Sequence, residues 1–313
     1  MSDIKLFRIV QNGVEEIHGT SVAVEKSLQK MIEDHLEVFL GVRFLATEYV
    51  TGRTHGGRID TLGIDENNCP VIIEYKKALN ENVINQGLFY LDWLLDHKAE
   101  FQLLVLKRFG EEVANGIEWS DPRLVCIAGN FTRYDEHAVQ QIARNIELVR
   151  YRRYGDHLVL FELVTAASGE TLGWTKPTPR SNNPPLNPGV GHTSDAPEVL
   201  RRLEQCLPIV HDRYEALRAY LLALGDDVQV KTVDRYIAFR RLKNFAAVRF
   251  RPQTGRMLLY VNVRPDTIKL EPGFTKDHRP TGGTGTWQLE ITIDDDDDLK
   301  RAKPLVTKSY EAS

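Results

Sequence analysis

One stretch limits what this 313-residue chain can fold into: "SGETLGWTKPTPRSNNPPLNPGVGHTSDAP", from Ser168 to Pro197. Pro, Gly, Ser and Asn crowd out every hydrophobic period in it, so it carries too little apolar surface to offset the entropy of ordering it. It reads as an extended linker. The chain therefore separates into residues 1–167 and 198–313, each long enough to bury its own core. With 42% hydrophobic and 27% charged residues, the composition is of the soluble globular kind. Cys69, Cys126 and Cys206 lie far apart and form no CxxC pair, which speaks against a zinc site or a disulfide framework and for a reducing, cytoplasmic setting. There is no signal-peptide layout and no run of about 18 apolar residues, so a membrane role is not expected. A net charge of −4 neither demands nor excludes a polyanionic partner.

In the first part, "IKLFRIV" reads as a strand. "SVAVEKSLQKMIEDHLEVFLG" reads as one long amphipathic helix, with Val22, Leu28, Met31, Ile32, Leu36 and Leu40 near a 3.6-residue period and Gly41 as its stop. Strand-like runs follow at "RFLATEYV", "GRIDTLGI" and "PVIIEYKK", the last two joined by the turn-rich "DENNC". Helical spacing returns in "NENVINQGLFYLDWLLDHKAEF" and its continuation ends at Gly110. A buried-type strand "RLVCIAG", a helix "YDEHAVQQIARN" and a strand pair "IELVRYRRY" and "HLVLFELV" complete an α/β domain layered around one mixed sheet. The second part opens on a helix with Asp195 as N-cap and Pro197 in its first turn, then a second helix stopped by Gly225. The runs "RYIAFRR", "FAAVRFR", "MLLYVNV" and "WQLEITI" and a closing helix "LKRAKPLVTKSYEA" make it a small α+β domain.

The chemistry concentrates in "GGRIDTLGIDENNCPVIIEYKK", Gly56 to Lys77. On a strand, residues two apart share a face, so Glu74 and Lys76 point with Ile72, and Tyr75 and Ile73 point oppositely. Charges set against a packed layer are costly unless partners or a metal compensate. Asp60, on the preceding strand of the same hairpin, is the companion. Two carboxylates converging beside one lysine make a hard, oxygen-lined pocket suited to Mg2+. A lone E-x-K is more often a solvated cross-strand ion pair. The joint pattern of helix, glycine-rich approach to Asp60, strand order and following helix is what separates the two readings.

G-R-I-D followed, after thirteen residues, by E-Y-K resembles the catalytic core of the PD-(D/E)XK nuclease superfamily. More narrowly, Arg58 through Glu74-Tyr75-Lys76 to Gln86 and Tyr90 is similar to the nuclease domain of NucS/EndoMS-type endonucleases, in which a Q-x-x-x-Y helix follows the E-x-K strand. The likeness covers roughly residues 20–130. Ile59 stands before Asp60 where the superfamily name has Pro. The resemblance implies a restriction-endonuclease-like mixed sheet flanked by helices and Mg2+-dependent hydrolysis of phosphodiesters, with Mn2+ able to substitute. In it Asp60, Glu74 and the Tyr75 carbonyl bind the metal, Lys76 orients water or stabilises charge on the phosphate, and Gln86 helps to position them. Glu33, or its neighbour Glu37, is a further metal-side carboxylate, although a surface role suits either as well. Arg58, beside the site, is expected to contact nucleic acid. His55 reads as an exposed loop histidine.

Residues 231–279 hold twelve Lys or Arg against four acids, an excess set in a chain that is acidic overall. Arg240, Arg241, Lys243, Arg249 and Arg251 interleave with Tyr236, Phe239, Phe245, Phe250 and Tyr260, so phosphate contact and base stacking are expected, against the alternative of a solvated sheet face with the aromatics in its core. "NFAAVRF" and "GGTGTWQLEITI" resemble a small domain of unknown function appended to nuclease domains. In "RYRRY", Arg150, Arg152 and Tyr154 would share a strand face and track a nucleic-acid backbone. Asp294 to Asp298 reads as a solvated turn placed favourably at a helix start. The expectation is a metal-dependent DNA endonuclease of repair or of defence against foreign DNA, with RNA left open and a homodimer expected from two-strand cutting. The alternative is a non-catalytic nucleic-acid-binding module on a nuclease fold.

Overall fold

The computed structural model describes residues 4–11, 13–20, 26–52, 56–75, 83–167, 196–279 and 287–313. Lys76, His55 and residues 168–195 of the expected linker lie outside the described residues. The chain divides into two compact units, Met1–Gly169 and Glu170–Ser313.

In the first unit, β1 (Leu6–Val10) and β2 (Gly13–Ile17) form a separate antiparallel hairpin. The main sheet takes the order β3-β8-β7-β6-β5-β4, with β9 on the other side of β8. Its strands are β3 (Gly19–Thr20), β4 (Val42–Val50), β5 (Arg58–Asp65), β6 (Pro70–Tyr75), β7 (Arg123–Ala128), β8 (Asn145–Tyr154) and β9 (Leu158–Ala167). β4, β5 and β6 pair antiparallel, β6, β7 and β8 pair parallel, and β9 returns antiparallel. The sheet is therefore mixed. Every residue of β6 and β7 is buried, which is why both read as mainly apolar runs, with Glu74 and Arg123 as their charged members. The parallel pairs need crossovers. α3 (Val83–Asp96), α4 (Lys98–Phe109) and α5 (Glu111–Asn115) join β6 to β7, and α6 (Arg133–Gln140), held by a capping box between Thr132 and Asp135, joins β7 to β8.

Two helices expected to be continuous are broken. α1 (Lys26–Asp34) and α2 (Leu36–Leu40) are separated at His35, and α3 and α4 at His97. At the second break the His97 backbone N–H bonds the Trp93 carbonyl at 2.9 Å, its ring nitrogen Nδ1 lies 2.9 Å from the same oxygen, and the ring stacks on Trp93. The side chain thus competes for the backbone group that a straight helix would use. Gly41 and Gly110 stop these helices where expected, Gly41 in the left-handed region at φ 64°.

The α3 layer buries Ile72, Leu124, Leu148, Trp93, Phe101 and Leu94 in one core. The β5–β6 turn is fixed by Asp65, whose Oδ1 accepts from the backbone N–H of Asn67 and Cys69 at 2.8 and 2.9 Å, with Asn68 left-handed at φ 60°. Across the sheet from that turn Arg123 is fully buried. It donates through Nε and Nη2 to both carboxylate oxygens of Glu147 at 2.9 and 3.0 Å, and through Nη1 to Asp65 at 3.2 Å. Burial alone would lower the Arg123 pKa, but the charges of Glu147 and Asp65 outweigh it and hold the guanidinium above its ordinary value.

The second unit is a six-stranded antiparallel sheet of order β10-β11-β12-β13-β15-β14. Its strands are β10 (Gln229–Thr232), β11 (Ile237–Arg240), β12 (Asn244–Arg251), β13 (Arg256–Val261), β14 (Thr275–Asp277) and β15 (Leu289–Ile293). α7 (Glu198–Glu204), α8 (Pro208–Leu222) and α9 (Asp296–Glu311) cover one face, over a core that includes Leu217, Phe239, Phe245, Phe250, Leu259 and Val306. Pro197, expected in the first turn, is the N-cap of α7, the expected cap Asp195 lying outside the described residues, and α8 ends at Ala223, before Gly225. β10 and β14, short edge strands, add to the four expected. The acidic run opens α9: the Asp295 carboxylate accepts from the N–H of Asp297 and Asp298 at 2.9 and 2.8 Å. Lys300, Arg301 and Arg213 pair with Asp297, Asp298 and Asp296. Among the described residues no helix is long and apolar enough to cross a membrane, and the three cysteines are buried and form no disulfide.

Candidate active site

The β5–β6 ladder runs from Ile64↔Pro70 to Thr61↔Ile73. One step further, Asp60 stands opposite Glu74, and there side chains replace the backbone rungs. The Asp60 N–H donates to Glu74 Oε1 at 3.1 Å, and the Tyr75 N–H donates to Asp60 Oδ2 at 3.1 Å. Each carboxylate satisfies a backbone donor on the strand that carries the other. Asp60 is 8% and Glu74 1% exposed. The pair sits where β6 delivers its C-terminal end, beside Cys126 and Ile127 of β7.

The facing of β5 reverses at Asp60. The Thr47 and Thr61 hydroxyls both reach Glu33 of α1, at 2.8 and 2.6 Å. Two residues away, Tyr49 packs on Trp93 of α3 and bonds Glu100 of α4 at 2.5 Å, and Ile59 joins the core of Trp93 and Tyr90. Strict alternation would have kept Thr47 with Tyr49, and Ile59 with Thr61, on one face. Both strands turn over at one register position. Glu48 lies there between the pairs Thr47↔Thr61 and Tyr49↔Ile59, left-handed at φ 50°. A non-glycine residue in that region is strained by about 1–2 kcal/mol, and such strain gathers at functional sites. Glu48 Oε2 pairs with Arg58 Nη1 at 2.7 Å. Sequence reasoning missed Glu48, since nothing in "RFLATEYV" marks a left-handed glutamate.

The entry to β5 is fixed from α3. Tyr90 Oη accepts from the Arg58 N–H at 3.1 Å and from Gln86 Nε2 at 3.3 Å. A Cβ on Gly57 would come within 2.5 Å of the Tyr90 ring, so only glycine admits this approach. Gln86 thus acts on the segment two residues ahead of Asp60. Glu33 Oε1 takes donors from Thr61, Thr47 and, at 3.1 Å, Gln29. Among the described residues it does not join Asp60 and Glu74 in a group of three metal-holding acids or histidines. Burial, opposed by the Thr61 contact and reinforced by the charges of Glu33, Asp60 and Glu74, holds the Tyr75 phenol above its ordinary value, so it is neutral near pH 7.

The expected nucleic-acid contacts divide. Arg58 is exposed. Arg150 is 3% exposed and its Nη1 bonds Glu162 at 3.1 Å, so the guanidinium is buried instead of tracking a backbone, its charge met by a carboxylate that the β8–β9 pairing sets directly opposite. Arg152 is half-buried. Arg240 is buried and donates to the carbonyls of Arg241 and Leu242 at 3.3 and 3.1 Å, a turn-closing role. Arg241 pairs with Asp227 at 2.6 Å and lies over the Tyr310 ring. Lys243 is half-buried, while Arg249 and Arg251 stand on the sheet face away from the helices.

Residues 209–313 match a family described as a domain of unknown function (DUF5655). The chain is 25% identical, over 98% of its length and 100% of the relative's, to an uncharacterized protein of Haemophilus influenzae. No solved structure matches.

Proposed function

We propose that the first unit is a divalent-metal-dependent phosphodiester hydrolase of the PD-(D/E)XK kind that cuts DNA. The observation that supports this reading most is the convergence of two buried carboxylates, Asp60 and Glu74, at the end of a sheet ladder where they take over from backbone rungs. Mg2+ is commonly held by one or two carboxylates, with water and substrate phosphate completing the shell, so a two-acid site fits this ion without a further protein ligand. Asp60 and Glu74 would hold it, and when bound it supplies a polarised phosphate and an acidified water.

The remaining chemistry belongs to the chain. The reciprocal N–H bonds orient both carboxylates before substrate arrives. Tyr90, fixed by Gln86, anchors the approach to Asp60. Arg58, exposed two residues before Asp60 and held by Glu48, offers a guanidinium to a phosphate oxygen. Lys76, the next residue after Tyr75, is the cation that would steady charge developing on the phosphate. A cytoplasmic homodimer acting in repair or in defence is the setting this reading carries.

The test is a cleavage panel of plain, mismatched, modified and branched DNA with Mg2+ or Mn2+. Wild-type protein is expected to cut at least one substrate and to stop when the metal is chelated, and Asp60→Asn, Glu74→Gln and Lys76→Ala are each expected to lose the activity. Cutting retained by all three variants would overturn the assignment. One observation favours a second reading: both carboxylates also serve as ladder terminators. A non-catalytic nucleic-acid-binding module would show DNA binding unchanged or tightened by Asp60→Asn and no turnover with any metal.

A further inference from the structure

Strand pairing sorts the aromatics of the second unit into two sets. Phe239, Phe245 and Phe250 enter the core beneath the helices. Tyr260 and Leu258 go to the opposite sheet face with Ala247, and Tyr236 and Trp287 pack over them, half-buried. No helix of the described residues joins this second cluster.

The cations sort as well. The register Ala247↔Tyr260↔Glu290↔Lys276 puts Lys276 in the Tyr260 row, and Arg249↔Leu258 and Arg251↔Arg256 put both of those arginines on the same face. The Arg249 guanidinium lies 5.5 Å from the Tyr236 ring centre and 5.2 Å from that of Tyr260, and its Nε has no hydrogen-bond partner. Arg241, Arg256 and Arg279 have carboxylate partners, whereas no ion pair engages Arg249, Arg251 or Lys276 among the described residues. Of the acids on this face, Glu290 is taken up by His278 at 3.8 Å and by the Tyr260 hydroxyl, and Asp294 by Arg256 at 2.9 Å.

We infer that the helix-free face of the second unit binds single-stranded nucleic acid, with unstacked bases on Tyr236 and Trp287 and phosphates on Arg249, Arg251 and Lys276. This rests on the nucleic-acid reading of the whole protein but not on its metal site. Planar side chains over a sheet, flanked by unpaired cations, suit a polyanion that also carries flat apolar groups. A duplex hides those groups in its stack and would meet only the cations. Tyr260 is held up at about 12 by burial first and by Glu290, against the opposing charges of Arg249 and Arg251, so it adds no anion to repel phosphate at neutral pH.

The experiment uses the full chain in chelator, so that binding is read without cleavage. Anisotropy of a labelled oligothymidine of about 16 nucleotides is compared with that of its duplex. Tyr236→Ala and Trp287→Ala are expected to weaken single-strand binding about tenfold each, with Tyr236→Phe restoring it and duplex binding little changed. Arg251→Ala and Lys276→Ala, exposed sites that leave the fold alone, are each expected to lower the salt slope by about 0.7. No single-strand binding by wild-type protein, or binding and salt slope untouched by all four variants, would overturn the inference, as would equal loss of duplex and single strand in the aromatic variants. Asp60→Asn separates the two proposals: it removes cleavage under the catalytic reading and leaves this binding intact.

Discussion

Asp60 and Glu74 hold each other's strands: Glu74 Oε1 accepts the Asp60 N–H and Asp60 Oδ2 accepts the N–H of Tyr75, both at 3.1 Å. The arrangement gives each acid a structural and a chemical role, and substitutions can divide the two. Asp60→Asn keeps an oxygen acceptor for the Tyr75 N–H, so stability is expected to change by less than about 1 kcal/mol while Mg2+-dependent cleavage falls about 100-fold or more. Asp60→Ala orphans that buried N–H and is expected to cost about 1–3 kcal/mol besides. Urea unfolding beside a cleavage assay reads both.

Glu48 offers a sharper test of the turned-over strands. At φ 50° a glycine is relaxed and an alanine strained, so Glu48→Gly is expected to be more stable than Glu48→Ala by about 1 kcal/mol. That is the reverse of the usual order in a strand. The exposed ion pair to Arg58 is lost in both and cancels from the comparison. Equal unfolding midpoints for the two variants would contradict the left-handed conformation.

Arg123 joins Glu147 and Asp65 with no solvent to share the charge. Removing the cation alone leaves two buried acids, and Arg123→Met is expected to destabilise the first unit by about 3–5 kcal/mol. Replacing Arg123 by Met, Glu147 by Leu and Asp65 by Asn together should recover most of the loss, because the desolvation penalty leaves with the charges while the asparagine side chain keeps an Oδ1 acceptor for the N–H groups of Asn67 and Cys69. Denaturant titration of the single and triple variants decides it, and a triple variant no better than the single would argue against this account.

Tyr214, on the buried face of α8 and edge-on to Phe250 at 5.2 Å, is held up at about 12 by burial, opposed by Arg218 and aided by Glu215. Its folded pKa is raised above the ordinary value of 10.0, so its contribution is whole below pH 10 and is lost as pH rises toward about 12. A phenolate absorbance titration of wild type minus Tyr214→Phe is expected to show a component near pH 12 and none near 10. The variant should also keep more of its stability through that window.

The order of elements was legible in the sequence. The apolar period through Leu28 to Leu40, the mainly apolar runs of β6 and β7 and the stops at Gly41 and Gly110 are local signals, and the helices and strands lie where those signals put them. The acidic run at the start of α9 was equally local, since an aspartate N-cap needs only its own next residues. Breaks at His35 and His97 escaped, because periodicity continues across them while a single residue leaves the helical region.

What the sequence by itself determined is which residues lie close along each strand, and so that Glu74 points with Ile72 and against Tyr75. Tertiary structure alone decided that Asp60 faces Glu74 across the end of the ladder, that β4 and β5 turn over at Glu48, and that Arg150 finds Glu162 while Arg251 finds no carboxylate among the described residues. Facing repeats every two residues and is written locally. Pairing register and the cover on each sheet face arise from contacts between segments far apart in the chain, whose partners no local pattern names.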